Sequence, residues 1–231
     1  MVPRLFWLAF AVLAAFPAGA GSLPRRMGRD GLTYVRIPPG SYFTGCLPGD
    51  AQCMGLERRR AKIVLASAFW IGRTEVTQAA YRRVMHTDPS RYPGATRPVD
   101  SVGWTDATEY CRRIGMRLPT ESEWEYAAYG GTSALPRQPL ADLAWYDPNS
   151  NDETHPVATK LSNGYGLFDM LGNVWEWVQD PGIEPGEHIL KGGSFYNIAR
   201  DLRIAGRLSA PPDLRHRDIG FRCASSDMPT E

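Results

Sequence analysis

The stretch "NGYGLFDMLGNVWEWVQD" (residues 163–180) is the most specific segment of this 231-residue chain. Its central Gly172-Asn173 pair predicts a tight turn, and Asp169 and Glu176 stand on either side of it. Calcium takes several oxygen ligands from carboxylates and loop carbonyls, so one interpretation of the segment is a calcium loop. The alternative is an ordinary tight turn whose two tryptophans anchor the hydrophobic core.

Residues 1–20 are not expected to belong to the fold. They contain one basic residue, Arg4, followed by an apolar run over residues 5–16 and a small-residue ending at 18–20. This pattern is typical of a secretory signal peptide, and the run is short for a membrane span. The alternatives are an uncleaved anchor or a buried helix. Because no second apolar run follows, we expect a periplasmic or secreted protein without a membrane span.

Composition predicts one domain with many turns. The chain has 19 prolines and 23 glycines, which favour turns over long regular elements. We assign residues 21–31 to a leader, 32–225 to the domain and 226–231 to a flexible tail. Removal of the signal segment takes one residue from 26 Lys and Arg and none from 25 Asp and Glu. The near-neutral remainder argues against a nucleic-acid-binding protein, which usually carries a basic excess.

Regular elements are predicted mainly in the first half of the chain. Residues 34–45 indicate a strand, a proline turn and a second strand, and residues 60–76 indicate another strand pair. Three short helices are predicted to follow Thr77, Thr105 and Thr120. The third has the best signal, because a threonine followed three residues later by a glutamate forms a capping box. Pro, Asn, Asp and Ser then dominate a long region that we expect to be irregular.

Four cysteines are available for disulfides: Cys46, Cys53, Cys111 and Cys223. In an exported chain an even number of cysteines favours two disulfides, and three pairings are possible. A local Cys46–Cys53 pair across a short Gly- and Pro-containing loop is favoured, which would leave Cys111 to pair with Cys223. The alternative, a metal site, is disfavoured because the Cys46–Cys53 spacing does not match the usual zinc patterns.

Five strings in one order resemble the formylglycine-generating enzyme, or sulfatase-modifying factor, family. They are "EVTQAAY" (75–81), "RLPTESEWEYAA" (117–128), "NGYGLFDMLGNVWEW" (163–177), "KGGSF" (191–195) and "IGFRCA" (219–224). The resemblance covers roughly residues 32–224. It implies a mixed α+β fold with low regular secondary structure, namely the formylglycine-generating-enzyme fold with a C-type-lectin-like core. It also implies a Cys111–Cys223 disulfide.

The resemblance further implies bound calcium. In the matching loop, Asp169 and Glu176 would provide side-chain oxygens, and Gly172 and Val174 would provide backbone carbonyls. A second calcium site of the family falls within residues 144–160, where this chain looks shortened, and we do not carry it over.

Copper is not expected. Family members that oxidise a substrate cysteine bind Cu(I) through two cysteines that follow "GGS", and thiolates are the soft ligands that this ion prefers. The matching positions here are Asn197 and Leu202, an amide and a hydrocarbon, although Ser194 retains the family's active-site serine. An iron site like that of the related sulfoxide synthases is also disfavoured, because the histidines are scattered along the chain. They are His86, His155, His188 and His216.

Arginines dominate the rest of the segment after "GGS". Arg200, Arg203 and Arg207, together with Arg222, are candidates for bidentate binding of an anionic group or peptide carboxylate. The alternative is that they pair with internal carboxylates and so hold irregular loops together. The candidate carboxylates are Asp201, Asp213 and Asp218.

Three functions follow from these observations. The first is an exported domain of this fold that lacks the copper thiols and binds a peptide or small ligand in a calcium-braced cleft near Ser194. The second is a divergent enzyme that modifies an exported peptide, because one branch with this fold takes part in periplasmic maturation of a peptide siderophore. The third is a formylglycine-generating oxidase acting on sulfatases, which the replacement of both thiols disfavours.

Overall fold

Short strands and helices alternate with irregular segments throughout the computed structural model, which describes residues 22–45, 60–132 and 138–228. The helices are α1 (Gln78–Met85), α2 (Trp104–Arg113), α3 (Glu121–Tyr129), α4 (Leu140–Leu143) and α5 (Asp147–Ser150). The strands are β1 (Arg25–Met27), β2 (Thr33–Ile37), β3 (Gly40–Thr44), β4 (Ala61–Leu65), β5 (Phe69–Gly72), β6 (Trp175–Pro181), β7 (His188–Lys191), β8 (Arg207–Ala210), β9 (Ile219–Phe221) and β10 (Ala224–Ser225). Within these ranges no helix has the length and apolar character of a membrane span.

Side-chain caps define the starts of α1 and α3, as the sequence predicts. Thr77 Oγ1 accepts a hydrogen bond from the Ala80 N–H at 3.3 Å. At α3 the capping box is complete, because Thr120 Oγ1 accepts from the Glu123 N–H at 3.1 Å and Glu123 Oε2 accepts from the Thr120 N–H at 2.9 Å. Gly130 then ends α3 in the left-handed conformation that glycine adopts at low cost.

The second helix begins earlier than its predicted cap. It starts at Trp104 rather than after Thr105, with Gly103 as the N-cap residue. The carboxylate of Asp106 accepts a hydrogen bond from the Gly103 N–H at 3.0 Å. An acidic side chain in the first turn therefore accepts from the N-cap N–H, and the anion also suits the helix N-terminus.

The strands of the described ranges form three small sheets, in the orders β1-β2-β5-β10, β3-β4 and β8-β7-β6-β9. Within the last sheet β6 and β9 are parallel, and the remaining strand pairs are antiparallel. The predicted strands exist, but β4 and β5 do not pair with each other as the sequence suggested; β4 pairs with β3, and β5 pairs with β2. Pro38 and Pro39 separate β2 from β3, and since proline cannot donate to a ladder, the chain leaves one sheet and enters another there.

The fold begins before residue 32, within the segment that the sequence analysis assigned to a leader. Residues 25–27 form β1, and Asp30 is fully buried. The Asp30 carboxylate accepts hydrogen bonds from the hydroxyls of Tyr34 at 2.7 Å and Tyr110 at 2.9 Å. At the other end, Met228 of the predicted flexible tail packs against the core. The predicted signal peptide, residues 1–20, lies outside the described residues.

Tryptophans anchor the core, as the composition suggests. Trp124 on α3 and Trp177 on β6 are fully buried, in two separate hydrophobic clusters. Both indole N–H groups have partners: Trp177 donates to the Val102 carbonyl at 3.0 Å, and Trp124 donates to the carboxylate of Glu176 at 2.8 Å. These bonds satisfy the indole nitrogen, the one polar atom of tryptophan, which burial would otherwise leave without a hydrogen-bond partner.

A disulfide joins α2 to the residue before β10. Cys111 and Cys223 are bonded, with Cα atoms 5.7 Å apart and a sequence separation of 112 residues. The pairing that the family resemblance implies is therefore present. The predicted Cys46–Cys53 pair lies outside the described residues.

Removal of this disulfide should destabilise the domain strongly. The bond closes a loop of 112 residues, and in the chain-entropy model such a loop restricts the unfolded chain by about 4–5 kcal/mol. We expect the Cys111→Ala/Cys223→Ala variant to lose about 2–5 kcal/mol in the free energy of unfolding, measured by urea denaturation. A reductant should lower the urea midpoint of the parent by breaking the Cys111–Cys223 bond, an effect that the variant cannot show because it lacks this bond. A variant as stable as the parent would contradict the assignment.

Candidate functional site

A buried arginine organises the loop that the sequence singled out. Arg222, directly after β9, is completely buried. It forms a bidentate salt bridge with the carboxylate of Glu176 on β6, in which Nε donates at 2.7 Å and a terminal nitrogen donates at 2.6 Å. The Trp124 indole adds a third hydrogen bond to Glu176, at 2.8 Å. Burial disfavours the charged guanidinium, but the neighbouring carboxylates more than offset this and raise the pKa of Arg222.

The rest of the guanidinium binds backbone carbonyls from separate parts of the chain. It donates to the carbonyls of Gly72 at 3.0 Å, Phe168 at 3.0 Å and Asp169 at 3.3 Å. A planar group with five N–H donors can satisfy several acceptors at once, which lysine cannot do in the same geometry. Arg222 thus joins the end of β5, the loop before β6 and β6 itself. The alternative interpretation of Arg222, an internal structural contact, is the one that these bonds support.

Two further carboxyl groups lie beside this ion pair. Glu75 and Asp169 are both buried, and Asp169 Oδ2 accepts a hydrogen bond from the Ala158 N–H at 2.7 Å. With both groups ionised, no described residue donates a hydrogen bond to Asp169 Oδ1 or to either oxygen of Glu75, whereas a protonated Glu75 can donate to Asp169. Burial raises the pKa of Asp169 to about 6, and burial together with the Asp169 charge raises the pKa of Glu75 well above its ordinary value. Sequence reasoning missed Glu75, because nothing in "EVTQAAY" predicts that its glutamate faces this loop.

The predicted calcium residues lie together on the 169–176 loop. Asp169 and Gly172 both have positive φ angles, and a Cβ at Gly172 would lie 2.2 Å from the Trp145 carbonyl oxygen. The donor set fits calcium in part. With Glu75 ionised, no described residue donates to Asp169 Oδ1, whereas Glu176 already accepts three hydrogen bonds of the roughly four that a carboxylate can take.

A cation at this loop would depend on backbone oxygens as well as on side chains. In the part of the chain that the structure describes, no three His, Cys, Asp or Glu side chains converge as a metal-binding group. The four predicted residues would offer two carboxylates and the carbonyls of Gly172 and Val174, and mixed sets of this kind are usual for calcium.

The serine of the "GGS" turn is enclosed by hydrogen bonds. Ser194 is fully buried, and its hydroxyl lies 2.8 Å from Asp218 Oδ2 and 2.8 Å from Asn197 Oδ1. The same Asn197 oxygen accepts from the Ser194 N–H at 3.0 Å. On its other side Asp218 contacts the ring of His216 through Nδ1. The carboxylate of Asp218, which sequence reasoning listed only as a partner for arginine, therefore holds the serine.

The two positions that carry cysteines in the copper-binding relatives are occupied by groups that are already engaged. Asn197 is half-buried, and its carboxamide oxygen closes onto Ser194. Leu202 is buried, and a Cβ placed on Gly193 would lie 3.0 Å from its Cδ1. The two side chains thus contact successive residues of one turn, Ser194 and Gly193.

The three arginines of the segment do not form one cluster. Arg200 is exposed and lies 3.4 Å from Asp201, while Arg203 donates to the Arg200 carbonyl at 2.9 Å. Arg207, whose side chain is only 14% exposed, is directed inwards and lies 3.4 Å from the buried carboxylate of Glu121. The structure therefore places Arg207 in an internal ion pair, separate from the ligand-binding group that the sequence suggested.

Apolar side chains are exposed on the same segment. Tyr196 and Ile198 are 57% and 49% exposed, and the Arg217 guanidinium lies 5.1 Å from the Tyr196 ring centroid. Neither residue was predictable as a surface feature, because in an irregular segment the sequence does not distinguish an exposed hydrophobic residue from a buried one.

The mixed α+β fold, the "GGS" turn and the arginine-held loop define a sulfatase-modifying-factor type of domain. The chain belongs to that family: residues 21–227 match the family model described as "Sulfatase-modifying factor enzyme 1-like domain". The match also begins earlier than the domain start of residue 32 expected from the sequence.

Curated relatives include proteins named as formylglycine-generating enzymes and proteins named as inactive. The chain is 33% identical over 202 residues to the formylglycine-generating enzyme of Mus musculus, covering 72% of this chain and 54% of that protein. It is 37% identical over 151 residues to the mouse "Inactive C-alpha-formylglycine-generating enzyme 2", covering 56% of this chain and 49% of that protein. The chain thus spans about half the length of these relatives.

Solved structures confirm the predicted fold. Treponema denticola variable protein 1 is 27% identical, with a TM-score of 0.77 over 85% of this chain and 95% of that one. PvdO from Pseudomonas aeruginosa is 24% identical, with a TM-score of 0.75 over 85% of this chain and 95% of that one. At this level of identity, the similarity to PvdO supports only the fold of this chain.

Loss of the buried guanidinium should be costly. Removal of one partner from a buried ion pair leaves an uncompensated charge, typically at a cost of about 3–5 kcal/mol. We expect Arg222→Met to reduce the free energy of unfolding by about that amount in urea denaturation with a chelator present. Arg112→Met, which removes an exposed partner of Glu109, should leave the midpoint almost unchanged. Equal stability of Arg222→Met and the parent would refute the central role of this arginine.

Proposed function

We propose that this protein is an exported binding domain of the family that captures a peptide or small ligand at the surface beside Ser194 and performs no copper-dependent oxidation. The observation that carries the proposal is the residue type and the contacts at positions 197 and 202, which match the copper-binding cysteines of the family. Asn197 is committed to hydrogen bonds with Ser194, and Leu202 packs against Gly193. A carboxamide and a hydrocarbon do not replace the two thiolates that a soft copper(I) ion prefers.

The binding surface consists of Tyr196, Ile198 and Arg200, which follow the "GGS" turn and are exposed. Aromatic and arginine side chains contribute much of the affinity in protein interfaces. The surface is held in place from below, because Asn197 bonds to Ser194 and its carbonyl accepts from the Asp147 N–H at 3.0 Å. A supported loop loses little conformational entropy on binding, which favours affinity.

Calcium is proposed as the brace of this site. Asp169, Glu176 and the carbonyls of Gly172 and Val174 would hold it. With Asp169 and Glu176 ionised, Arg222 leaves one negative charge uncompensated, and a bound divalent cation would compensate it. The burial of the Asp169 carboxyl group beside Glu176 supports the proposal. The 169–176 loop contacts the "GGS" turn directly, since the Gly172 N–H donates to the Gly192 carbonyl at 3.0 Å.

Calcium should raise the melting temperature of the chelator-treated protein. A ligand that binds only the folded state stabilises it, and a hundredfold excess over Kd corresponds to a shift of about 5–10 °C for a domain of this size. Asp169→Asn should abolish the shift while keeping a residue that tolerates positive φ. Asp142→Asn, at an exposed aspartate, should retain it. An unchanged Tm with and without calcium would exclude the proposed brace.

Peptide selection tests the binding function directly. Peptides selected from a displayed random library should bind the purified chain with a Kd in the micromolar range, about −8 kcal/mol. Tyr196→Ala and Ile198→Asp should each weaken binding at least about tenfold by removing hot-spot contacts. Leu214→Ala removes an exposed leucine outside the segment and should leave Kd unchanged. Selected peptides that are indifferent to all three substitutions would bind elsewhere and refute the proposed surface.

The competing function, formylglycine generation, has a distinct signature. The 33% identity to the mouse enzyme supports it, whereas the chemistry of Asn197 and Leu202 opposes it. Incubation of the chain with copper(I), oxygen and a cysteine-containing sulfatase-motif peptide should leave the peptide mass unchanged. Conversion of the cysteine to an aldehyde would overturn the proposed function.

A further inference from the structure

A pocket lies between β3 and the C-terminal end of α3. Its volume is about 160 Å³. Four tyrosines form most of its described lining, together with two residues that carry aliphatic hydroxyls. They are Tyr42, Tyr126, Tyr129, Tyr165, Ser41 and Thr132. The pocket shares no described residue with the 191–207 segment, so it is a separate candidate site.

The tyrosine rings are held in fixed positions. The Tyr42 hydroxyl donates to Glu125 Oε2 at 2.9 Å, and its ring centroid lies 5.6 Å from that of Tyr129. The hydroxyls of Tyr126 and Tyr165 are hydrogen-bonded to each other at 3.2 Å, with ring centroids 6.0 Å apart. The walls are therefore arranged before a ligand arrives, as in most small-molecule sites.

The pocket offers no counter-charge to an ionic ligand. The nearby carboxylate of Glu125 is buried and already accepts bonds from Lys191 at 2.8 Å, Thr44 at 2.9 Å and Tyr42. Burial raises the pKa of both Tyr42 and Tyr165 above the ordinary value for tyrosine, so their phenols stay neutral. The described lining includes no Asp, Glu, Lys or Arg side chain. An anionic ligand would lose its hydration here without gaining a partner among the described lining residues.

We propose that this pocket binds one neutral, saturated ring that carries several hydroxyl groups, a ligand of monosaccharide size. The half-buried Tyr165 ring offers an apolar surface to the C–H groups of such a ring, and the hydroxyl of the exposed Ser41 can both donate and accept hydrogen bonds. Pockets for drug-sized ligands occupy about 300–1,000 Å³, so this smaller pocket suits a single ring. The inference concerns a different surface from the proposed peptide-binding segment and does not rest on it.

The test uses the purified full chain and a panel of methyl glycopyranosides of glucose, mannose, galactose and N-acetylglucosamine. Saturation-transfer NMR and calorimetry should detect at least one of them with a Kd of about 1–10 mM. Ser41→Trp fills the pocket from an exposed strand position, and Tyr165→Ala removes a half-buried wall. Each should weaken binding at least about tenfold, as expected when a packed contact is lost.

Leu214→Ala is the control, because it removes an exposed leucine outside both the pocket and the proposed peptide-binding segment and should leave glycoside binding unchanged. Thermal melting will verify that each variant is folded. If Tyr165→Ala does not fold, the result for Ser41→Trp decides the test. Saturable glycoside binding that only the pocket variants lose would support the inference. The inference would be overturned if no glycoside bound saturably, or if Ser41→Trp bound a glycoside as tightly as the parent. Tighter binding of phenol or tetramethylammonium than of any glycoside would also overturn it.

Discussion

The interaction on which the rest depends is the buried contact of Arg222 with Glu176. An irregular fold leaves many backbone carbonyls without partners from regular ladders, and each buried one must find a donor. The guanidinium binds three of them, from Gly72, Phe168 and Asp169, while its charge is compensated by Glu176. One side chain therefore supplies the bonding that a longer sheet would otherwise provide, and it determines the path of the 163–177 loop.

That loop in turn positions the segment proposed for binding. The Gly172 N–H donates to the Gly192 carbonyl at 3.0 Å, and the Phe195 N–H donates to the Asn173 carbonyl at 2.9 Å. The "GGS" turn is thus held by backbone bonds that do not depend on the side chains at positions 197 and 202. Because the frame does not require thiols, those two positions can change while the fold is kept. This separation accounts for one fold with both oxidase and non-oxidase members.

Local signals in the sequence predict local structure well. The capping box at Thr120 and Glu123 was predictable because both partners lie within one turn of helix. The Cys111–Cys223 bond and the family were predictable from motifs in a fixed order. Contacts between residues far apart in the sequence were not predictable. Glu75 lies beside Asp169, and Arg207 faces Glu121, only because the fold brings distant segments together. Asp30 was assigned to a leader because nothing nearby indicates that Tyr110 will reach it.

The most direct test of the account is the copper affinity of the parent and of the Asn197→Cys/Leu202→Cys variant, measured by competition with a chromogenic copper(I) chelator. The account holds that the frame is intact and that only the sulfur donors are missing. It therefore predicts that the parent leaves the copper with the chelator, whereas the variant takes up one equivalent. Tight binding of copper(I) by the parent would contradict it.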